Sequence, residues 1–180
     1  MTRTALVTGA SSGIGAACAA RLVRSGWRVL AGVRRKGDAP EGTEEVQLDV
    51  TDAAQIKAAA DGVEELHALV NNAGIAIAMP LEFVPLDELR HQLEVNVVGQ
   101  VAVTQAFLPV LRRARGRIVF VGSIAGRSAL PFLGPYAASK HALEAIADSL
   151  RVELRPWGIH VAIVEPGSIR TPIWTRGAAK

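Results

Sequence analysis

The chain has one tyrosine, Tyr136, and a lysine, Lys140, follows it four positions later in "GPYAASKHALEAI". Small or apolar Ala137, Ala138, Ala142, Leu143, Ile146 and Ala147 recur at near-helical spacing, which places phenol and amine on one helix face. A phenol ionises near pH ~10 and is an inefficient base around neutrality. An ammonium ~4 Å away, at an effective dielectric of ~20, favours phenolate by roughly 4 kcal/mol, about three pKa units. The spacing therefore suits an acid/base pair. On these two residues alone, a surface tyrosine and lysine that are merely helical neighbours is the commoner occurrence.

A second stretch with chemical content is "TGASSGIG", Thr8 to Gly15, between an apolar run and a helical pattern. Gly9 permits a sharp turn, and Gly13 and Gly15 remove side chains where a pyrophosphate or the sheet must approach. The helix that follows offers free N–H donors at its positive end. Gly9, Ser11, Ser12, Gly13, Ile14 and Gly15 are thus candidate dinucleotide contacts. About 20 residues on, an acidic side chain would grip the ribose hydroxyls of NAD. This chain has "AGVRRK" there, and Arg34 and Arg35 suit a 2′-phosphate, so the sequence favours NADP, with NAD as the alternative. Asp49, with Val50, could meet the adenine edge, and a turn or capping role for Asp49 is nearly as well supported.

Positioning these groups requires a sheet whose strands end where they sit. Short apolar runs at 4–9, 28–33, 45–50, 67–72, 117–122 and 160–165 alternate with helical patterns at roughly 13–25, 53–63, 86–112 and 135–155. Asp52 is a candidate N-cap and Gly26 a candidate C-cap. The alternation predicts an α/β Rossmann fold: a doubly wound parallel sheet of order 3-2-1-4-5-6 with helices on both faces, binding ligands beyond the carboxyl ends of its strands. No linker or repeat divides residues 1–180, which are read as one domain.

With these motifs in order, the chain resembles the short-chain dehydrogenases/reductases, in their single-domain branch with a TGxxxGxG turn. "TGASSGIG", "NNAG" from Asn71 to Gly74, Asn96 in "EVNVVG", Ser123 thirteen residues before Tyr136, "YAASK" and "PGSIRT" from Pro166 carry the resemblance over nearly all 180 residues. It implies that Tyr136 transfers a proton, Ser123 holds the substrate oxygen, Lys140 lowers the phenol's pKa and binds the nicotinamide ribose, and Asn96 positions a relay water. It also implies that Asn72, Ala73 and Gly74 close over the adenosine side. Pro166 and Gly167 would form the floor near the nicotinamide, and Ile169 and Thr171 would orient its carboxamide. The implied activity is hydride transfer between NADP(H) and a secondary alcohol or ketone. Apolar Ile75, Ala76, Ile77, Phe132, Leu133 and Trp174 suggest a lipophilic one. The family usually continues several tens of residues further, so the chain is C-terminally incomplete relative to it and lacks the substrate lid. The alternative is accordingly a dinucleotide-binding module with little or no turnover. Long helices near 86–112 and 135–155 pair subunits in similar proteins, implying a homo-dimer or homo-tetramer.

Composition narrows the rest. The chain is 49% hydrophobic and 21% charged, with a net charge of +3 spread along its length. Arg34-Arg35-Lys36 and the arginines at 112, 113, 115 and 117 come with only 4% aromatic residues and no reading motif, so no nucleic-acid partner is expected. The single cysteine, Cys18, allows no intramolecular disulfide and fits a reducing compartment. No metal is expected, because the four histidines lack ligand spacing with one another or with Cys18. No apolar run seems long enough to span a membrane and no signal peptide precedes the first strand, so a cytoplasmic protein without a membrane partner is expected.

Overall fold

The computed structural model describes residues 2–176; the ends of the expected 1–180 domain, Met1 and 177–180, lie outside the described residues. Strands β1 (Thr4–Thr8), β2 (Arg28–Val33), β3 (Glu44–Gln47), β4 (Ala68–Asn71), β5 (Arg117–Val121) and β6 (His160–Val164) form one parallel sheet. Its order is β3-β2-β1-β4-β5-β6, the doubly wound arrangement expected from the alternation of runs. The helices are α1 (Gly13–Arg24), α2 (Ala53–Asp61), α3 (Leu86–Leu93), α4 (Gly99–Ala114) and α5 (Gly134–Glu153), with a short last turn at Ile173–Arg176.

The register explains the two layers. Leu30, Leu6, Leu69, Ile118 and Val161 align across five strands, and this row packs with Ile56 of α2, Val103, Phe107 and Leu111 of α4, and Leu143 and Ala147 of α5. The adjacent row, Ala31, Val7 and Val70, turns to the other face and meets Ala19, Cys18 and Leu22 of α1. Alternation with period two thus sends each strand's large residues to the thicker layer and its valines and alanines to α1. Phe107 and Phe120 are fully enclosed in the thicker layer, where burying one such ring contributes about 1.5–3 kcal/mol.

Helix ends follow local chemistry. Asp52 caps α2 by accepting from the N–H groups of Ala54 (2.9 Å) and Gln55 (3.1 Å). Gly26 lies one position past the Ser25 cap of α1 at φ +78°, where a left-handed residue closes the helix. Two expectations need correction. The third strand ends at Gln47 rather than 50, because Asp49 Oδ1 accepts from Thr51 N–H and Oγ–H and so starts a turn in place of the ladder. The helix expected over 86–112 is interrupted by a π-helical turn at Glu94–Val98. The helical run Leu86–Ala114 is also long and apolar enough to cross a membrane by length and composition, at a mean hydropathy of 1.2, contrary to the sequence expectation. Its apolar Val103, Phe107, Val110 and Leu111 are buried in the core described above.

Candidate active site

The glycine turn and the phenol meet at the carboxyl edge of the sheet. Gly9 and Gly13 have φ of +64° and +57°, which glycine adopts without the penalty a side chain would bring. A Cβ on Gly15 would stand 2.3 Å from Gly9 O and 2.4 Å from Asn72 Nδ2, so only glycine lets α1 start this close to β1. Ser12, the N-cap of α1, makes no side-chain cap hydrogen bond, and no acidic residue occupies the first turn. The positive end of α1 is therefore not neutralised from within its own first turn, and it suits an anionic group such as a pyrophosphate.

The end of β4 is stapled to this turn. Asn72 Nδ2 donates to Thr8 O (2.8 Å) and Gly9 O (3.2 Å), while Thr8 Oγ1 accepts from the N–H groups of Asn72 and Ala73, both at 3.0 Å. Gly74 faces Asn96 Oδ1, with room of 3.3 Å for a Cβ. On the far side of the turn, Thr171 Cβ would lie 3.2 Å from a Cβ on Gly13, so the segment after β6 reaches back over the glycines. Pro166 O accepts from Ile124 N–H at 3.1 Å, which holds Pro166 and Gly167 beside the end of β5. Ile169 is exposed.

Past β2, Arg34 and Arg35 are both exposed. Arg35 pairs with Asp38 at 3.3 Å, and Arg34 has no partner among the described residues. Asp49 is held by its own turn: its N–H donates to Gln55 Oε1 at 2.9 Å and one carboxylate oxygen serves Thr51. Val50 is buried against Gly99, where a Cβ would come within 2.6 Å of Val50 O.

Tyr136, Lys140 and Ser123 are all buried, at 7%, 4% and 9% exposure. Helix α5 brings Lys140 Nζ to 5.6 Å from the Tyr136 ring centroid and lets it donate to Val121 O at 2.7 Å. Ser123 sits where β5 ends, its Oγ accepting from Ala125 N–H at 3.1 Å. Trp174 closes on the phenol edge-on, with ring centroids 5.4 Å apart. Burial pushes the Tyr136 pKa up, and a hydrogen bond with Ser123 pulls it partly back. Burial also lowers Lys140 from 10.5 to about 8. The lowering of the phenol's pKa anticipated from the sequence is thus absent in this arrangement: the ammonium spends a donor on Val121 O and lies over the ring, and desolvation is the larger influence on the hydroxyl.

Asn96, fully buried in the π turn, does not reach Lys140 with a direct hydrogen bond. Its Oδ1 accepts from Ile75 N–H (2.9 Å), and its Nδ2 donates to Ile75 O (2.9 Å) and Ser139 Oγ (3.0 Å). Ser139 Oγ in turn donates to Tyr136 O at 2.7 Å, so a chain of hydrogen bonds ties the segment after β4 to the first turns of α5. Sequence reasoning passed over Ser139, Thr8, Gln92, Gln100 and Thr104. The last three share a readable signal with Asn96: one polar residue every four positions, 92, 96, 100 and 104, in an otherwise apolar stretch.

The model of the short chain dehydrogenase family matches residues 3–180. The NADPH-dependent 3-dehydrocapnine reductase of Ornithobacterium rhinotracheale is 42% identical over 99% of this chain and 69% of its own length. The 3-amino-tetrahydro-pyrrolizinone reductase of Xenorhabdus hominickii is 41% identical over 98% of this chain and 65% of its own length. The chain therefore spans about two thirds of the length of these relatives. Among solved structures, a short chain dehydrogenase from Burkholderia cenocepacia in complex with NADP superposes with a TM-score of 0.92 at 34% identity, covering 99% of this chain and 77% of that one. The chain belongs to the short-chain dehydrogenase/reductase family, whose members bind nicotinamide dinucleotides.

Proposed function

We propose that the protein is an oxidoreductase that uses NADP(H) to interconvert a secondary alcohol and a ketone, with Tyr136 as the acid/base. The observation that carries the reading is the buried group of Tyr136, Lys140 and Ser123 at the same sheet edge as a glycine turn whose helix N-terminus lacks a side-chain cap. The residues present fit a dinucleotide: Gly9, Gly13 and Gly15 leave no side chain over the turn, and Arg34 is exposed and unpartnered for a 2′-phosphate. Ser11, Ser12, Ile14, Asn72, Ala73 and Gly74 would line the phosphate and adenosine side; Pro166, Gly167, Ile169 and Thr171 would line the nicotinamide side. When bound, the nicotinamide supplies or accepts the hydride.

The chain's own residues handle the proton and the oxygen. In reduction the Tyr136 hydroxyl, kept protonated by burial, donates to the substrate oxygen as charge builds there, and Ser123 donates a second hydrogen bond to the same atom. Lys140 then stabilises the phenolate left behind, a role that needs its charge only while the phenol has lost its own. In oxidation the same steps run backward. Ala76, Ala125 and Ala137 pack around Tyr136 and exclude water from it, and this apolar wall favours a lipophilic substrate. The same reading takes the protein to be a cytoplasmic homo-dimer or homo-tetramer, as the family resemblance implies.

NADPH consumption against a panel of hydrophobic ketones tests the proposal, with Tyr136→Phe as control. Turnover that survives this substitution undiminished removes the mechanism. NADPH binding without consumption of any ketone favours a dinucleotide-binding module instead. Tighter binding of NADH than NADPH would overturn the cofactor assignment.

A further inference from the structure

The run from α3 through the π turn into α4 carries Gln92, Asn96, Gln100 and Thr104, all at 0–1% exposure. Each faces the irregular segment that leaves β4, and they take its residues in reverse order. Asn71 Nδ2 donates to Thr104 Oγ1 at 2.8 Å, and Gln100 Nε2 donates to Ala73 O at 2.8 Å. Asn96 engages both N–H and O of Ile75. Gln92 Oε1 accepts from Ile77 N–H at 2.8 Å, while its Nε2 donates to Ile75 O at 2.8 Å.

The match between helix and segment is geometric. Four residues of helix rise about 6 Å, and two residues of extended chain advance about 6.6 Å, so one side chain per helical step meets every second residue of the segment. A row of every fourth residue would drift about 40° per step around an ideal α-helix and swing away from its target. The wider π turn at Glu94–Val98 falls in the middle of the row and turns it back. Carboxamides therefore do for residues 73–77 what a neighbouring strand does for β4.

We propose that Gln92 is a positioning residue for Tyr136, holding the backbone of Ile75 and Ile77 so that Ala76 between them presses on the phenol ring. Ala76 is 3% exposed and lies in one apolar cluster with Tyr136, Ala125 and Ala137. Asn96 shares Ile75 but does not touch Ile77, so Gln92 alone among the described residues fixes the outer end of this wall by a side chain. The inference rests on the reading of Tyr136 as the acid/base. A glutamine that only satisfied backbone would cost stability on removal and leave the phenol's surroundings as they are.

Tyr136 is the only tyrosine, so protein carrying an isotope label at tyrosine Cζ gives a single NMR signal whose titration reports this phenol. The polar and charged groups that face it are Lys140 from α5 and Ser123 from the end of β5, and neither is altered by changes at position 92. In Gln92→Met the titration midpoint is expected to fall by roughly one pKa unit toward the ordinary ~10 as the loosened wall readmits water. Gln100→Met removes an equally buried carboxamide that serves Ala73 and should leave the midpoint in place. If Gln92→Met does not fold, Gln92→Glu, of the same size and retaining the acceptor for Ile77, takes its place and should shift the signal in the same direction. Equal shifts in the 92 and 100 variants, or no shift at 92, would overturn the proposal. With NADPH and a ketone that the wild type reduces, Gln92→Met should lower kcat and leave the KM for NADPH unchanged. If the wild type reduces no ketone, the oxidoreductase reading fails, and the titration still decides the role of Gln92.

Discussion

Replacing Lys140 with methionine separates what the lysine does for the fold from what it does for chemistry. Its ammonium is 4% exposed and its pKa is drawn from 10.5 down to about 8 by burial, so the folded protein binds this proton less tightly than the unfolded chain does. A lysine whose folded pKa is depressed opposes folding below that pKa, and the penalty fades as pH rises from the folded value to the unfolded one. Between about pH 7 and about pH 9.5 the linkage amounts to about 2 kcal/mol gained by the wild type and absent from Lys140→Met. Stopping there keeps clear of the Tyr136 phenol, whose folded pKa is raised and whose contribution is lost at higher pH. The hydrogen bond to Val121 O, worth about 1.5–3 kcal/mol for a charged donor, offsets part of the penalty at neutral pH. The variant should therefore be close to the wild type in stability near neutrality and fall behind it in alkali. Urea denaturation of both proteins across that range reads the difference directly. Parallel stability profiles would refute the argument, because they would mean that Lys140 titrates alike in the folded and unfolded chain.

Other perturbations test other parts of the site. Gly15→Ala places a Cβ 2.3 Å from Gly9 O, a backbone atom that cannot swing aside, and should cost about 1–3 kcal/mol and weaken NADPH binding, as thermal melts and a binding titration would show. Arg34→Ser should weaken NADPH binding about tenfold or more and leave NADH nearly unchanged, since a charge-assisted hydrogen bond to a phosphate contributes roughly 1.5–3 kcal/mol. Arg127 lies 3.0 Å from the buried Glu144 carboxylate and 2.9 Å from Glu165. Burial raises the Glu144 pKa first and Glu165 adds to it, while Arg127 works the other way, so Arg127→Ala should raise it further. A carboxyl with a raised folded pKa favours the fold in acid and loses that advantage as pH rises through the folded value, so the variant's deficit should be small in acid and grow toward neutrality in denaturation curves.

Much of the fold was legible because burial on both faces of a parallel sheet leaves a strong mark. "TALVT", "RVLAGV" and "RIVFV" are short apolar runs, and their alternation with helical patterns leaves few chain paths consistent with right-handed crossovers. What was misread lies where side chains compete with backbone ladders. "EVQLDV" reads as a six-residue strand by pattern, yet Asp49 and Asp52 take the N–H groups of residues 51, 54 and 55 and end the ladder at Gln47. Nothing in the apolar periodicity of 86–112 marks the π turn, because a bulge alters the register of a row without altering which residues are apolar.

The site was legible to a different depth. Tyr136 and Lys140 share a helix face as their spacing requires, since a four-residue step is local and set by backbone geometry. The electrostatics went the other way, because the sequence supplied a pair of charges and no measure of the water around them. The phenol at 7% exposure is governed by desolvation, and that follows from Ala76, Ala125 and Ala137, which arrive from three separate segments. The same holds for Gln92 and Asn96. A polar row at every fourth position can be seen in the letters, but what it binds is set by a segment 15 to 21 residues away whose own backbone has no strand to pair with. A buried carboxamide costs free energy unless every donor and acceptor near it is met, so a helix that keeps such a row inside the core must be answering backbone groups that would otherwise go without. Those groups belong to the stretch pressed against the phenol, which makes the carboxamide row part of the surroundings that set its protonation.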